Sequence, residues 1–214
     1  MFKHYIFDLD GTLIDSMPKA TNTLLGYLDS ENIKYPKDLI KKIVPLGYDG
    51  IAKYFVQELG VNKLPNNVFN DLLSRLQKMY AHEVQPKAGA DETLRTLKKR
   101  GATVNLLTAS PHAFVDPCIQ RLGWWEVFDN VWTVEDFACS KADPEIYKEA
   151  SLRLGASLKE CVMLDDSVNS LKSAKDSGII VIGVYDYFSA PYEKEMRTIS
   201  DQYVYNLKEL LDID

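Results

Sequence analysis

The stretch KHYIFDLDGTLIDS, residues 3–16, decides how the rest of the chain is read. Lys3–Phe7 is short, aromatic and apolar, and Gly11 follows closely, so the segment reads as a buried strand running into a loop. A lone strand leaves its backbone groups unpaired, so its sheet must come from elsewhere in the chain. It does not come next. From Met17 to about Met79 apolar residues recur at spacings of three and four, as in Leu24, Leu25 and Leu28 and in Ile51, Tyr54, Phe55 and Leu59. Pro36, Pro45-Leu46-Gly47, Gly60 and Pro65 break this stretch into about four helices with no strand.

After Pro86 the rhythm changes. Asp91–Lys99 reads as a helix capped by Gly101, Thr103–Leu107 as a strand and Phe114–Leu122 as a helix. Val131–Thr133 is a short strand, Glu145–Leu154 a helix and Cys161–Leu164 a strand. Asn169–Ser177 is a helix ending before Gly178, Ile179–Val184 a strand, and Leu207–Leu211 a short closing helix. Strands alternating with helices imply an α/β fold built on a parallel, doubly wound sheet. The expected arrangement is a core domain of residues 1–15 and 86–214 with an inserted all-helical domain of residues 16–85. The hinges would fall near Asp15–Pro18 and Gln85–Lys87.

The 214-residue chain is 46% hydrophobic and 26% charged, a balance that can bury a core without staples. Its 31 acidic residues exceed its 25 basic ones, which argues against nucleic acid or an anionic membrane as the main partner. Cys118, Cys139 and Cys161 form no CxxC pair, and His4, His82 and His112 are the only histidines, so neither a zinc cluster nor a disulfide framework is expected. No apolar run reaches membrane-spanning length and the N-terminus meets charge at once, so the expected compartment is the cytoplasm. The pattern fixes no oligomeric state.

In open parallel sheets, ligands bind beyond the carboxyl ends of the strands. The first strand is followed by Asp8, Asp10, Gly11 and Thr12. Thr108, Ala109 and Ser110 follow Thr103–Leu107, and Asp165, Asp166, Ser167 and Asn169 follow Cys161–Leu164. Lys141 lies in the loop before the Pro144 helix. Four carboxylates at one edge repel one another unless a hard cation joins them, and Mg²⁺ suits oxygen ligands of this kind. Asp8 and Asp10 are two apart, so an extended backbone projects both to one side, where one can attack and the other transfer protons. Amides around Gly11 can hold phosphate oxygens, Thr108 or Ser110 can donate to one, and Lys141 can offset the charge that gathers there. Each residue also has an ordinary use: Asp-Gly turns, Thr108–Ser110 or Asp165–Ser167 as helix caps, and Lys141 as solvated surface. It is their order along one sheet edge that favours chemistry.

FDLDGTLIDS at Phe7–Ser16 closely resembles the first motif of the haloacid dehalogenase-like hydrolases. LLTAS at Leu106–Ser110 resembles the second, SKADPEIY at Ser140–Tyr147 the third, and VMLDDSVNSLKSAKDSG at Val162–Gly178 the fourth. Pro86 and Gly89 fall where phosphoglycolate-phosphatase-like members re-enter the core. The resemblance implies a core of this family with an inserted helical cap, in the phosphoglycolate phosphatase and beta-phosphoglucomutase subgroup. It implies Asp8 as nucleophile, forming an acyl phosphate, and Asp10 as general acid and then base. Gly11, Thr12, Thr108, Ala109, Ser110 and Lys141 would form the substrate-binding set. Mg²⁺ would be held by the Asp8 carboxylate, the Asp10 carbonyl and Asp166, with Asp165 direct or through water. Asp10 favours a phosphatase or phosphomutase over a dehalogenase. The cap would exclude water and select a small phosphorylated metabolite, with Gly47 in a Pro45–Gly50 loop touching the leaving group. The departures are Ala142 for a common proline, Asp165 for Gly or Glu, and Ser170 and Ser173 for smaller residues. The alternatives are a sugar phosphomutase and a non-catalytic phospho-ligand-binding protein.

Overall fold

His4–Phe7 forms β1 with all four residues buried, the mark of a strand covered on both faces. In the computed structural model, which describes residues 2–213, β1 lies in a six-stranded sheet. The other strands are β2 (Thr103–Thr108), β3 (Asn130–Thr133), β4 (Cys161–Asp165), β5 (Ile180–Val184) and β6 (Gln202–Val204). Their order is β3-β2-β1-β4-β5-β6 and every pairing is parallel. Successive strands step from β1 to β2 and β3 on one side, then return to β4 on the other. The switch point therefore falls between β1 and β4, where ligand crevices form in such sheets.

The crossovers are helical: α5 (Ala90–Lys99), α6 (His112–Arg121), α7 (Glu145–Arg153), α8 (Val168–Ser177) and α9 (Glu193–Ile199). Apolar residues of α7 and α8, including Ile146, Tyr147, Leu171 and Ala174, pack with Ile6, Met163 and Val181 of the sheet in one buried cluster. Trp124 is fully buried with its indole N–H donating to Asp91 Oδ1 at 2.9 Å, while Trp125 beside it is exposed.

The chain divides into two compact units, Met1–Asp15 with Gln85–Asp214, and Ser16–Val84. The second unit is helical: α1 (Met17–Ser30), α2 (Leu39–Ile43), α3 (Gly47–Gln57) and α4 (Pro65–His82). Leu24, Tyr27, Leu28, Leu39, Ile43, Ile51, Phe55, Val68 and Leu72 form its own core. An α/β sheet with an inserted helical cap is thus the observed fold class.

Three details differ from the sequence reading. Pro45–Gly50 is not one loop: Val44–Leu46 is a 3-10 turn and Gly47 already opens α3. The closing segment Leu207–Asp212 is 3-10 helix, capped by Asn206, whose side chain accepts from the Lys208 amide. Finally, α9 and β6 were not anticipated. Met196 is the one buried residue of α9, and β6 has three residues of which only Val204 is buried, so neither carries a readable period.

Candidate active site

The parallel register aligns Phe7 with Leu106 on one side and Leu164 on the other. The next residue, Asp8, donates its amide to the Leu164 carbonyl at 2.9 Å, which carries the ladder one step past β1. Asp8 and Asp165 thereby leave neighbouring strands at one level, both buried. Lys141, also buried, donates to Asp8 Oδ1 and to Asp165 Oδ2, each at 2.5 Å. Its backbone is held as well, because the Tyr147 hydroxyl donates to the Lys141 carbonyl at 2.9 Å. A buried ammonium is retained only where such partners satisfy it.

Asp166 belongs to the same group. Thr12 Oγ1 donates to Asp166 Oδ1 at 3.0 Å. Gly11 has φ +79°, and a Cβ placed there would come within 2.4 Å of Asp166 Oδ2. The backbone therefore runs against a carboxylate at a position where any side chain would collide. Asp8, Asp165 and Asp166 each present an oxygen, all within 4.8 Å of one another. Burial first, then Asp165 and Asp10, push the Asp8 carboxyl up to about 7 although Lys141 pulls it down. Burial, Asp165 and Asp8 raise Asp166 well above the usual carboxylate range. Burial opposes the charge on Lys141, but Asp165 and Asp8 outweigh it and raise its pKa. One lysine thus faces more negative charge than it can offset, and the donors are all hard oxygens. That combination fits a divalent cation.

Asp10 is placed differently. It is half-buried, its Oδ2 accepts from Ser110 Oγ at 2.6 Å, and its carboxylate is not one of the three clustered groups. Thr108 is buried at the end of β2 with its hydroxyl accepting from the Ser110 amide at 3.1 Å. Ala109 between them is exposed. The β2 loop thus orients Ser110 towards Asp10. It does not cap α6, whose N-cap is Pro111 with no side-chain hydrogen bond. Asp165 Oδ1 accepts from the Ser167 amide at 2.8 Å, so this carboxylate is held from two directions.

The sequence pattern of the haloacid dehalogenase-like hydrolases matches residues 2–178. The chain belongs to this family. The hydrolase is 28% identical over 200 residues to a phosphoglycolate phosphatase of Psychrobacter arcticus, covering 85% of this chain and 83% of that one. Its fold is similar to that of a Thermotoga maritima protein assigned as a beta-phosphoglucomutase, with TM-score 0.84, 22% identity and coverage of 99% and 97%. It is also similar to CbbY of Rhodobacter sphaeroides in complex with phosphate, with TM-score 0.80, 19% identity and coverage of 98% and 96%.

Two residues near the site of this hydrolase carried no sequence signal. Lys87, read only as part of a hinge, donates to the Gly11 carbonyl, and Asp186 at the end of β5 pairs with Lys87. No helix among the described residues is long and apolar enough to cross a membrane.

Proposed function

We propose that the hydrolase is a Mg²⁺-dependent phosphatase that cleaves a small-molecule phosphate monoester through an aspartyl-phosphate on Asp8. The observation that carries this reading is the unlike placement of two carboxylates. Asp8 is buried and faces Lys141, Asp165 and Asp166, whereas Asp10 is half-buried and held apart by Ser110. Two carboxylates in unlike environments suit a nucleophile and an acid–base pair. The phosphatase naming of the Psychrobacter arcticus relative supports the same class.

In the first step an Asp8 carboxylate oxygen attacks phosphorus, the ester P–O bond breaks, and Asp10 delivers a proton to the departing alkoxide. In the second, Asp10 takes a proton from water as that water attacks phosphorus. The Asp8–phosphoryl bond breaks, inorganic phosphate leaves, and the Asp8 carboxylate is restored. Lys141 and the Thr108 hydroxyl bind the transferring phosphoryl group, and Ser110 orients Asp10. Asp8 and Asp166, with the Asp10 carbonyl and with Asp165 direct or through water, would hold Mg²⁺. The ion supplies charge neutralisation and alignment of phosphate with nucleophile. Gly11, Thr12 and Ala109 complete the loops around the phosphate.

In this reading residues 1–15 and 86–214 form the catalytic core and residues 16–85 a cap that selects the substrate. The free thiols of Cys118, Cys139 and Cys161 suit a reducing compartment such as the cytoplasm.

The test is phosphate release from p-nitrophenyl phosphate and a panel of natural esters, with Mg²⁺ or EDTA. Wild type should turn over only with the metal, and Asp8→Asn should lose activity by about a thousandfold or more. Metal-independent turnover, or an active Asp8→Asn enzyme, contradicts the proposal.

A further inference from the structure

Besides the buried lysine that faces the carboxylates, a second lysine is bound to the loop that follows β1. Lys87 Nζ donates to the Gly11 carbonyl at 2.6 Å, to the Tyr185 carbonyl at 2.6 Å and to Asp186 Oδ2 at 3.1 Å. An ammonium group has three protons and no more. All three are spent on the protein, so Lys87 has none left for a ligand and can act only through what it holds. Asp186 is equally committed: it is 4% exposed, and its other oxygen accepts from the Phe188 amide at 2.9 Å.

What Lys87 holds is the backbone that carries Asp10. The Gly11 amide donates to the Ile14 carbonyl at 3.0 Å, which fixes the peptide plane between Asp10 and Gly11. Lys87 on the Gly11 carbonyl fixes the next plane, between Gly11 and Thr12. The Lys87 amide also donates to the Leu13 carbonyl at 2.9 Å, and Pro86 pairs with Ile14. One residue thus grips the loop at Gly11 and Leu13, on either side of Thr12, which orients Asp166. The glycine needs this grip: at φ +79° it has no Cβ to restrict it, and glycine is the residue with most backbone freedom to lose.

We propose that Lys87 is a positioning residue of the phosphoryl-transfer site, anchored by Asp186, which sets the backbone of Asp10–Thr12 and with it the geometry of the acid–base group. The assignment rests on the phosphatase reading. It concerns the rate of the chemical steps rather than substrate affinity, because all three Lys87 protons are spent on the protein and none is left for the phosphoryl group.

The experiment is steady-state kinetics on wild type, Lys87→Met, Asp186→Asn and the double variant, with Asp8→Asn as the inactive reference. Lys87→Met keeps the stem but leaves the buried Asp186 carboxylate without its counter-charge. The double variant removes that charge and separates misfolding from mispositioning. Displaced supporting residues commonly cost about tenfold to about a hundredfold in activity. The expectation is a fall in kcat of that size in Lys87→Met and in the double variant, with KM within about twofold. The two single effects should not add, since both break one node. A folded double variant with wild-type kcat overturns the proposal, as does a loss confined to KM. If wild type itself releases no phosphate, the phosphatase reading fails and the grip is read without turnover. Backbone ¹⁵N relaxation of Asp10, Gly11 and Thr12 should then show greater mobility in the double variant, and unchanged order overturns the assignment.

Discussion

Gly11 shows how closely this site is fitted. Its φ of +79° lies in the left-handed region, which costs a side-chain-bearing residue about 1–2 kcal/mol. The place a Cβ would take is 2.4 Å from Asp166 Oδ2, so the carboxylate would have to move. Gly11→Ala should therefore lower stability by about 1–2 kcal/mol in denaturant titration and reduce kcat by about a hundredfold through displacement of Asp166. Near-wild-type values for both would show that Asp166 is free to shift without consequence. The residues around Gly11 were legible to different degrees. Asp8, Asp10 and Asp166 were singled out because each follows a strand, and Lys141 because it lies in the loop before the Pro144 helix. Lys87 and Asp186 were not, because their meaning lies in contacts with Gly11 and with each other, 76 and 99 residues away in the chain. No local pattern announces such a node.

At the level of elements, α6 is tied to the turn after β3 by one histidine. His112 Nδ1 lies 2.9 Å from Asp116 Oδ1 within α6, and its Nε2 lies 2.8 Å from Asp136 Oδ2 in the 3-10 turn Val134–Asp136. Its amide donates to Glu135 at 2.8 Å. Burial alone would lower the histidine pKa, but Asp116 and Asp136 outweigh it and raise it above 6.5. Protonation lets both ring nitrogens donate. A group whose pKa is raised on folding adds stability that is fully present below the unfolded value of 6.5 and is lost as pH rises through the folded value. The side chain is 34% exposed, so after screening the effect is about 0.5 kcal/mol. The unfolding free energies of wild type and His112→Gln should differ most below pH 6.5 and converge at alkaline pH. A difference constant across that range contradicts the assignment. The sequence placed a helix start near this residue, and Asp116 lies one turn further along the same helix, but Asp136 reaches it only through the β2–β3 pairing. The longer elements were readable from period alone: α4 buries Val68, Leu72, Leu76, Met79 and Tyr80 at helical spacing. The edge strand β6 was not, since its three residues leave no period to detect, whereas the other edge strand, β3, was read as Val131–Thr133.

Across the whole molecule, a single interruption organises the chain. One strand is laid down first, a helical unit follows with its own core, and the other five strands return to pair around β1. That order was visible because helical spacing ends near Met79 and the alternation of strands and helices begins after Pro86. The consequence is that Asp8, early in the chain, meets Lys141, Asp165 and Asp166 only through the pairing of β1 with β4. In the proposed reaction this meeting makes Asp8 the nucleophile. The measurement is to quench turnover with acid and reduce with borohydride, which converts an acyl phosphate to an alcohol, followed by peptide mass spectrometry. Homoserine is expected at position 8 in the wild type with Mg²⁺ and substrate, and none with EDTA. Sustained turnover with Asp8 unmodified, or trapping at another residue, would contradict it.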